Sequence, residues 1–182
     1  VFGVVGIGRI GTAAALRAKS LGMNVMYFDP HVHKGMDKAL GIREAETLEE
    51  LLQASHVVSL HCPHTPETHH LIHRENIRWM RAGSFLINTA RGALVDILAV
   101  LDAVTTGHLS GAGIDVLEME PPPPDHPLVR AWRDPAHPAH DRIILNPHAA
   151  FYTEEGAREM RAKGSRNCRR VLLGQTPHNV IN

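Results

Sequence analysis

The feature that most constrains this chain is the turn Gly6-Ile7-Gly8-Arg9-Ile10-Gly11, which lies between a short apolar run and an Ala- and Leu-rich segment. These flanks predict a buried strand before the turn and a helix after it. In such a turn, Gly6 permits the sharp bend, Gly8 lets the backbone approach phosphates, and Gly11 lets the helix pack close to the sheet. The first amides of the helix then face the anion. The turn therefore predicts a strand–turn–helix unit that binds a pyrophosphate.

An acidic residue follows the turn at the distance that a dinucleotide site needs. Asp29 ends the second apolar run, in Phe28-Asp29-Pro30, about 20 residues beyond the glycines. A carboxylate there accepts hydrogen bonds from ribose hydroxyls and repels a 2′-phosphate, which favours NAD over NADP. Two alternatives remain open at this point. The glycines serve only a tight turn, or the chain is a methyltransferase, which also places an acid after a glycine-rich turn.

Short apolar runs alternate with helical patterns along most of the chain. The predicted strands are Phe2–Val5, Asn24–Phe28, Val57–Leu60, Ser84–Asn88, Gly111–Leu117 and Arg142–Leu145. The predicted helices are Arg9–Leu21, a segment from N-cap Thr47 to about Ala54, a segment near Arg74–Arg81, a segment with Leu94, Leu98, Leu101 and Val104 on one apolar face, and Thr153–Leu173 with Thr153 as N-cap. This alternation indicates an α/β fold, a Rossmann-type doubly wound parallel sheet in three αβα layers. The proline-rich stretch Pro121–Pro138 is predicted to be an excursion loop outside the core.

The composition excludes several classes of protein. Nineteen basic residues balance nineteen acidic ones, so no net positive field favours direct binding to nucleic acid or to an anionic membrane. No apolar run approaches the roughly 20 residues that cross a bilayer. The two cysteines, Cys62 and Cys168, are far apart in sequence. That spacing argues against a disulfide framework and favours a reducing, cytoplasmic location.

Three ionisable residues, Arg91, Glu120 and His148, follow the last three predicted strands, and Asp115 lies near the end of the second of these. Because ligands bind at the carboxyl ends of strands in an open α/β sheet, we expect them to converge there. A guanidinium matches a carboxylate, an imidazole exchanges a hydroxyl proton near neutral pH, and a carboxylate beside it holds its tautomer. Arg91, Glu120 and His148 together predict reversible hydride transfer at a 2-keto acid, although each alone is more often a surface or capping residue.

Several longer strings carry a resemblance to a known family. They are VVGIGRIG, SLHCPHTPETHHLI, NTARGALVD, GAGIDVLEMEPP and NPHAAFY. Nearly end to end, the chain resembles the NAD-binding domain of D-isomer-specific 2-hydroxyacid dehydrogenases. Within that family, Phe28-Asp29-Pro30, the His69-His70 pair and the string His148–Tyr152 are most similar to the C-terminal-binding-protein branch.

The resemblance implies roles for residues that match the family's motifs. It implies that Arg91 binds the substrate carboxylate and that His148 is the acid/base. Glu120, the acid directly before a proline, is implied as the partner of His148, and not Glu118, which is nearer to Asp115.

The residues predicted to contact NAD form four groups. The glycine turn and the ribose position contribute Gly6, Gly8, Arg9, Ile10, Gly11 and Asp29. By resemblance, the adenosine side is covered by the loop from Cys62 through Pro63 to Thr68, and the nicotinamide side by Thr89, Ala90, Arg91 and Asp115. Also by resemblance, His148, Ala150 and Phe151 complete the cofactor site, since residues 149–151 flank the histidine.

The resemblance also implies the character of the whole protein. The family has a second, flavodoxin-like domain that is mostly N-terminal, and this chain starts at Val1 without an initiator Met. Residues 1–182 are therefore expected to be one NAD-binding domain whose substrate domain is absent, and to bind cofactor with little catalysis. The implied substrate is a small D-2-hydroxy acid or 2-keto acid, and the implied assembly is a homodimer.

Three departures from the family pattern stand out. His64 occupies a position where Leu is more usual, Ile97 follows Asp96 where an acid is preferred, and the proline-rich loop is longer. The loop leaves the Glu120–His148 distance open. In the formate dehydrogenases of this family a glutamine pairs with the histidine, so Glu120 argues against that branch.

Two further hypotheses concern partner binding and metals. A corepressor-like protein that senses NAD(H) could keep the same residues and act through partners, in which case a nuclear location would be expected. His69 and His73 have the i, i+4 spacing of a metal pair. No third ligand is evident nearby in sequence, so no metal site is predicted.

Overall fold

The computed structural model describes residues 1–180. The chain consists of two compact units, Val1–His148 and Ala149–Asn182. The α-helices are α1 (Arg9–Ser20), α2 (Met36–Leu40), α3 (Leu48–Ala54), α4 (Ile97–Thr105), α5 (Pro127–Arg133) and α6 (Glu154–Leu172). Short 3-10 helices lie at Asn76–Trp79, Gly92–Leu94 and His140–Arg142. None of the described helices combines the length and the apolar character that a membrane span requires.

The first unit is built on a seven-stranded parallel sheet. Its strands are β1 (Phe2–Val5), β2 (Val25–Phe28), β3 (Arg43–Glu44), β4 (Val57–Leu60), β5 (Ser84–Asn88), β6 (Leu109–Ile114) and β7 (Ile143–Leu145). They lie in the order β3-β2-β1-β4-β5-β6-β7. The chain winds outward from β1 first to one side and then to the other, which is the Rossmann-type doubly wound arrangement. The predicted fold class is therefore confirmed.

The carboxyl ends of the strands are in register across the sheet. Val5 pairs with Phe28 on one side and with Leu60 on the other. The same row then continues through Asn88 and Ile114 and ends at Leu145. Because these are the last residues of their strands, the loops that follow leave the sheet along one edge.

Helices pack on both faces of the sheet. α1 packs on β1 and β2 through the buried residues Ala15 and Ala18. α3 and α4 pack on the opposite face and enclose the larger core cluster. The face that carries α1 is not fully covered on β5 and β7. Two apolar side chains are exposed there, Phe85 at 46% and Ile144 at 68%.

The proline-rich stretch contains a core element, so its prediction as an excursion loop was wrong. α5 lies within it and buries Leu128, Val129 and Ala131. Pro127 is the first residue of the helix, where proline's fixed φ suits the helix and its missing amide has no intrahelical partner to lose. The prolines therefore start a helix here, and the apolar residues after them decide that it packs.

Other boundaries also differ from the predictions. The helix expected near Arg74–Arg81 is only the 3-10 segment Asn76–Trp79, and the strand expected at Gly111–Leu117 lies at Leu109–Ile114. The apolar face predicted for α4 was wrong in part, because Asp96 caps a helix that begins after Leu94. Its buried residues are Ala99, Val100, Ala103 and Val104, whereas Leu98 is 49% exposed. The short elements α2 and β3 were not predicted.

The second unit contains the predicted closing helix. The Thr153 hydroxyl accepts a hydrogen bond from the Gly156 amide at 2.9 Å, which confirms Thr153 as the N-cap of α6. Within α6, the Asn167 side chain donates to the carbonyl of His178, a residue beyond the helix end, and accepts from the His178 amide.

Candidate functional site

The glycine turn joins β1 to α1 in a conformation that depends on its glycines. Gly6 has a φ of 89°, and a Cβ added there would lie 2.7 Å from the backbone nitrogen of Cys62. A Cβ added at Gly11 would collide with the Gly6 carbonyl oxygen. At Gly8, by contrast, a Cβ would meet nothing within 4 Å. Gly6 and Gly11 therefore shape the turn itself, while Gly8 faces open space beside the first turn of α1.

Asp29 ties the end of β2 to the glycine turn. Its Oδ2 accepts the Ile7 amide at 2.8 Å, and its Oδ1 accepts the His31 amide at 2.9 Å. An ionised carboxylate offers about four lone-pair sites. The two that remain can accept the vicinal hydroxyls of a ribose, and the charge disfavours a 2′-phosphate.

The turn fits the pyrophosphate of a dinucleotide. Gly8 is the N-cap of α1, and no side chain caps this helix end or places an acid in its first turn. Its first amides thus present the positive end of the helix dipole to an anion. Arg9 and Ile10, both predicted to contact the pyrophosphate, are exposed at this end, and Ile10 is 68% exposed.

The loop after β4 borders the turn on the other side. Burial raises the pKa of the Cys62 thiol to about 11, so the group stays protonated near neutral pH and does not act as a thiolate. His61, which was not predicted as a site residue, lies against Gly6 and Gly11 of the turn. Burial lowers the pKa of its imidazole. Its Nε2 lies 2.9 Å from the Ser59 hydroxyl. Its place directly after β4 is the signal that could have identified it.

Thr68 closes the same loop. Its hydroxyl accepts the Thr65 amide and donates to the Pro63 carbonyl, each at 2.7 Å. The predicted adenosine-side residues Cys62, Pro63 and Thr68 therefore belong to one hydrogen-bonded loop.

Asn88 shapes the turn that carries Arg91. The Asn88 side chain is fully buried, and it donates to the Arg91 carbonyl at 2.8 Å and accepts the Ala90 amide at 3.0 Å. These bonds hold Thr89, Ala90 and Arg91 in a tight turn directly after β5, with the Arg91 side chain exposed. Asn88 was not predicted as a functional residue, and its position as the last residue of β5 was the available signal.

The loops after β6 and β7 bring Glu120 and His148 together. The Nδ1 of His148 lies 2.6 Å from Oε2 of Glu120. The other carboxylate oxygen, Oε1, accepts the Leu117 amide at 2.8 Å. The backbone of His148, in a left-handed conformation with a φ of 53°, donates its amide to the carbonyl of the buried Asp115. The distance that the sequence left open is thus a direct hydrogen bond.

The charge on Glu120 is stabilised by its neighbours. Burial opposes that charge, but the hydrogen bonds from His148 and from the Leu117 amide outweigh it, with further help from the positive charge of Arg91. The net effect lowers the pKa of the Glu120 carboxyl below its ordinary value. An ionised Glu120 keeps the proton of His148 on Nδ1 and leaves Nε2 as the atom that can exchange a proton with a ligand.

An apolar pocket of ≈ 520 Å³ adjoins the Glu120–His148 pair. Leu117, Val129 and Trp132 contribute to its wall. α5 therefore lines the pocket beside Glu120.

Two of the predicted cofactor residues lie in the second unit. Ala150 and Phe151 belong to Ala149–Asn182, so their predicted position beside the cofactor stays a prediction. The other predicted residues lie in the turns and loops that follow the carboxyl ends of the strands or in the first turn of α1.

The sequence of this chain is similar to those of known proteins. A family model described as "D-isomer specific 2-hydroxyacid dehydrogenase, NAD binding domain" matches residues 1–150. The chain is 41% identical over 180 residues to a glyoxylate reductase from Korarchaeum cryptofilum, an alignment that covers 99% of the chain and 51% of that protein.

Solved structures show the same likeness. A D-lactate dehydrogenase from Treponema pallidum is 38% identical, with a TM-score of 0.86 over 100% of this chain and 55% of that one. A D-lactate dehydrogenase from Aquifex aeolicus, in complex with NAD and lactic acid, is 34% identical, with a TM-score of 0.83 over 95% of this chain and 53% of that one. The chain spans about half the length of the curated relatives it matches.

Proposed function

The chain belongs to the D-isomer specific 2-hydroxyacid dehydrogenase family as its NAD-binding domain, and on that premise we propose that it serves an enzyme that interconverts D-2-hydroxy acids and 2-keto acids. The observation that carries the proposal is the 2.6 Å hydrogen bond between Nδ1 of His148 and Oε2 of Glu120. Relatives named glyoxylate reductase and D-lactate dehydrogenase support small 2-keto acids such as glyoxylate and pyruvate as substrates.

Each of the three residues has a distinct task in the proposed reaction. NAD(H), when bound, supplies or accepts the hydride. His148 gives a proton from Nε2 to the substrate oxygen during reduction and takes it back during oxidation. Glu120 stabilises the imidazolium and holds its orientation. Arg91 binds the substrate carboxylate through its guanidinium, which presents paired donors to two oxygens.

We also propose that this domain is the cofactor half of a longer protein. The relatives are about twice as long as the alignment, which covers 51% and 50% of two of them. A second observation supports this proposal, because the sheet face around Phe85 and Ile144 is apolar and exposed. The faces of parallel sheets are covered in α/β proteins, and the remainder of the longer protein would supply that cover and the second wall of the substrate site. The isolated chain should then bind NADH but turn over slowly.

The test begins with this chain and continues with the longer protein. NADH binding is measured on the chain by fluorescence titration, with Asp29→Ala as the variant that should weaken it. NADH oxidation is then measured on the longer protein with glyoxylate, pyruvate and larger 2-keto acids. His148→Gln should lower kcat by about 10²–10⁴-fold, the usual contribution of a general acid–base group. Arg91→Lys should mainly raise KM for the keto acid.

Matched controls separate these effects from general damage. His56→Ala replaces an exposed histidine that directly precedes β4, at the opposite end of the strand from the site, and should leave both kcat and KM near wild type. NADH binding without turnover of any keto acid would refute the enzyme proposal while leaving the cofactor site intact. Turnover that survives His148→Gln would refute the assigned acid/base.

The proposal does not rest on the C-terminal-binding-protein branch. Only a resemblance of sequence motifs supports the corepressor-like role. The relatives described above are named as reductases and dehydrogenases. The homodimer and the cytoplasmic location likewise stay predictions, for which sedimentation of the longer protein and its localisation in cells are the direct tests.

A further inference from the structure

One cluster of side chains of the types that bind metal ions lies apart from the residues assigned to the cofactor and to the acid/base pair. Among the described residues, His69, His70 and Glu118 each place one ligand atom so that all three atoms lie within 4.8 Å of one another. The Nε2 of His70 lies 3.4 Å from Oε2 of Glu118. His73, which has the i, i+4 spacing from His69, is not part of this cluster, and its Nδ1 accepts the Glu75 amide.

The backbone holds the two histidines side by side. His70 has a φ of 47°, a left-handed conformation that is uncommon for a residue with a Cβ. Its amide donates to the Ala93 carbonyl at 2.8 Å, and the His69 amide donates to the Thr65 carbonyl at 3.0 Å. As a result the two rings stack, with centroids 4.1 Å apart and an interplanar angle of 17°. A non-glycine residue held in this region is often found at a functional site.

The third group comes from a different part of the fold. Glu118 directly follows Leu117, whose backbone packs so tightly on Gly92 that a Cβ there would collide with it. Glu118 is thereby held against the strand-end segment that also carries Arg91. A third imidazole borders the cluster, because the Nε2 of His64 lies 3.3 Å from the Nδ1 of His69.

We propose that His69, His70 and Glu118 form a binding site for a divalent transition-metal ion of the zinc class. Two imidazoles and a carboxylate are a common ligand set for zinc when one coordination position stays open. Tetrahedral zinc with bonds of about 2.0–2.1 Å separates its ligand atoms by about 3.4 Å, and the His70–Glu118 distance already has that value. His64 contacts His69 as an outer partner, which orients the ring of the ligand.

Such an ion would connect two segments that serve the proposed function. One is the loop after β4, which runs from Cys62 to His70. The other is the segment from Leu117 to Glu120, which carries the partner of His148. An ion bound to the folded chain would stabilise it by mass action and would hold these segments at a fixed distance. The site is separate from the acid/base pair, so its test does not depend on turnover.

Zn²⁺ alone is the first probe, added to this chain without a polyhistidine tag and followed by calorimetry. We expect one ion per chain. His70→Asn and Glu118→Gln should each weaken binding by at least about tenfold, because the loss even of outer partners costs about 10–100-fold. Asparagine suits position 70 because it tolerates a positive φ. His64→Ala should weaken binding less than His70→Asn does.

Control variants show whether the site is specific among the fourteen histidines of the chain. His73→Ala and His33→Ala should leave the Zn²⁺ affinity unchanged. Co²⁺ provides a second readout, since a tetrahedral site gives an intense visible spectrum that Glu118→Gln should reduce. Zn²⁺ affinity that is the same in wild type, His70→Asn and Glu118→Gln would overturn the proposal. Loss of binding in His73→Ala equal to that in His70→Asn would overturn it as well.

Discussion

Three glycines of this chain allow two costs of replacing a glycine to be measured separately. Gly6 has a φ of 89°, and a Cβ there would lie 2.7 Å from the Cys62 nitrogen. Gly22, which follows α1, has a similar φ of 81° but nothing within 4 Å of its Cβ position. Gly8 has an ordinary φ of −66° and also nothing within 4 Å. Alanine therefore meets strain and a clash at Gly6, strain alone at Gly22, and neither at Gly8.

The expected magnitudes follow from these contacts. A left-handed conformation costs a residue with a Cβ about 1–2 kcal/mol, and overpacking typically adds about 1–3 kcal/mol. The three atoms nearest to the Gly6 Cβ position are backbone atoms of His61 and Cys62, so rotation of a side chain does not relieve the clash. Gly22→Ala should lower the free energy of unfolding by about 1–2 kcal/mol, and Gly6→Ala by about 2–5 kcal/mol. Gly8→Ala, at a helix N-cap, should cost about 1 kcal/mol or less.

Urea unfolding of the chain, followed by circular dichroism, measures the three losses. In a protein of this size each kcal/mol corresponds to about 2–4 °C in Tm, so a thermal scan provides a second reading. NADH titration completes the comparison. Gly8→Ala should weaken NADH binding although it changes the free energy of unfolding only slightly. Equal losses in Gly6→Ala and Gly22→Ala would refute the argument that the close approach of Cys62 excludes a side chain at Gly6.

Three further predictions concern individual side chains. Because folding lowers the pKa of Glu120, this carboxyl contributes stability above its ordinary pKa and loses the contribution as the pH falls through the lowered value. The difference in unfolding free energy between wild type and Glu120→Gln should therefore narrow in acid, and a difference independent of pH would contradict this. The Cys62 thiol, with a pKa of about 11, should react with a disulfide reagent more slowly than the exposed Cys168, and single serine variants would assign the two phases. Asp29→Asn should lower the ratio of NADH to NADPH affinity, because the amide no longer repels a 2′-phosphate; an unchanged ratio in fluorescence titrations would count against Asp29 as the ribose ligand.

Signals that are local in sequence predicted their elements well. β1, β4 and β5 have the predicted bounds, and Thr47 and Thr153 both cap the helices that follow them. A short apolar run, a capping hydroxyl or a glycine turn acts on the few residues beside it, so its physical effect can be read without knowing the rest of the fold.

Elements that depend on packing were predicted less well. The sequence suggested a loop where α5 forms, because the prolines are visible in sequence and the surface that buries Leu128 is not. The buried face of α4 was predicted only in part. The helix begins where Asp96 caps it, and its buried residues are not the set that was predicted. For α5 the deciding contact comes from a distant part of the chain, whereas for α4 it is the local cap, in which the Asp96 side chain accepts the Leu98 and Ala99 amides.

The sequence alone determined that this protein has a glycine-rich turn between a strand and a helix, an acid after the second strand and three ionisable groups beyond successive strands. Only the tertiary structure decided which of these groups touch. Glu120 and His148 are 28 residues apart and meet at 2.6 Å, because β6 and β7 are neighbours whose last residues are in register. His70 and Glu118 are 48 residues apart and meet at 3.4 Å, because a left-handed residue and a glycine contact bring their loops together. Residue types limit the chemistry that is available, and the pairing of strands and loops selects the atoms that carry it out.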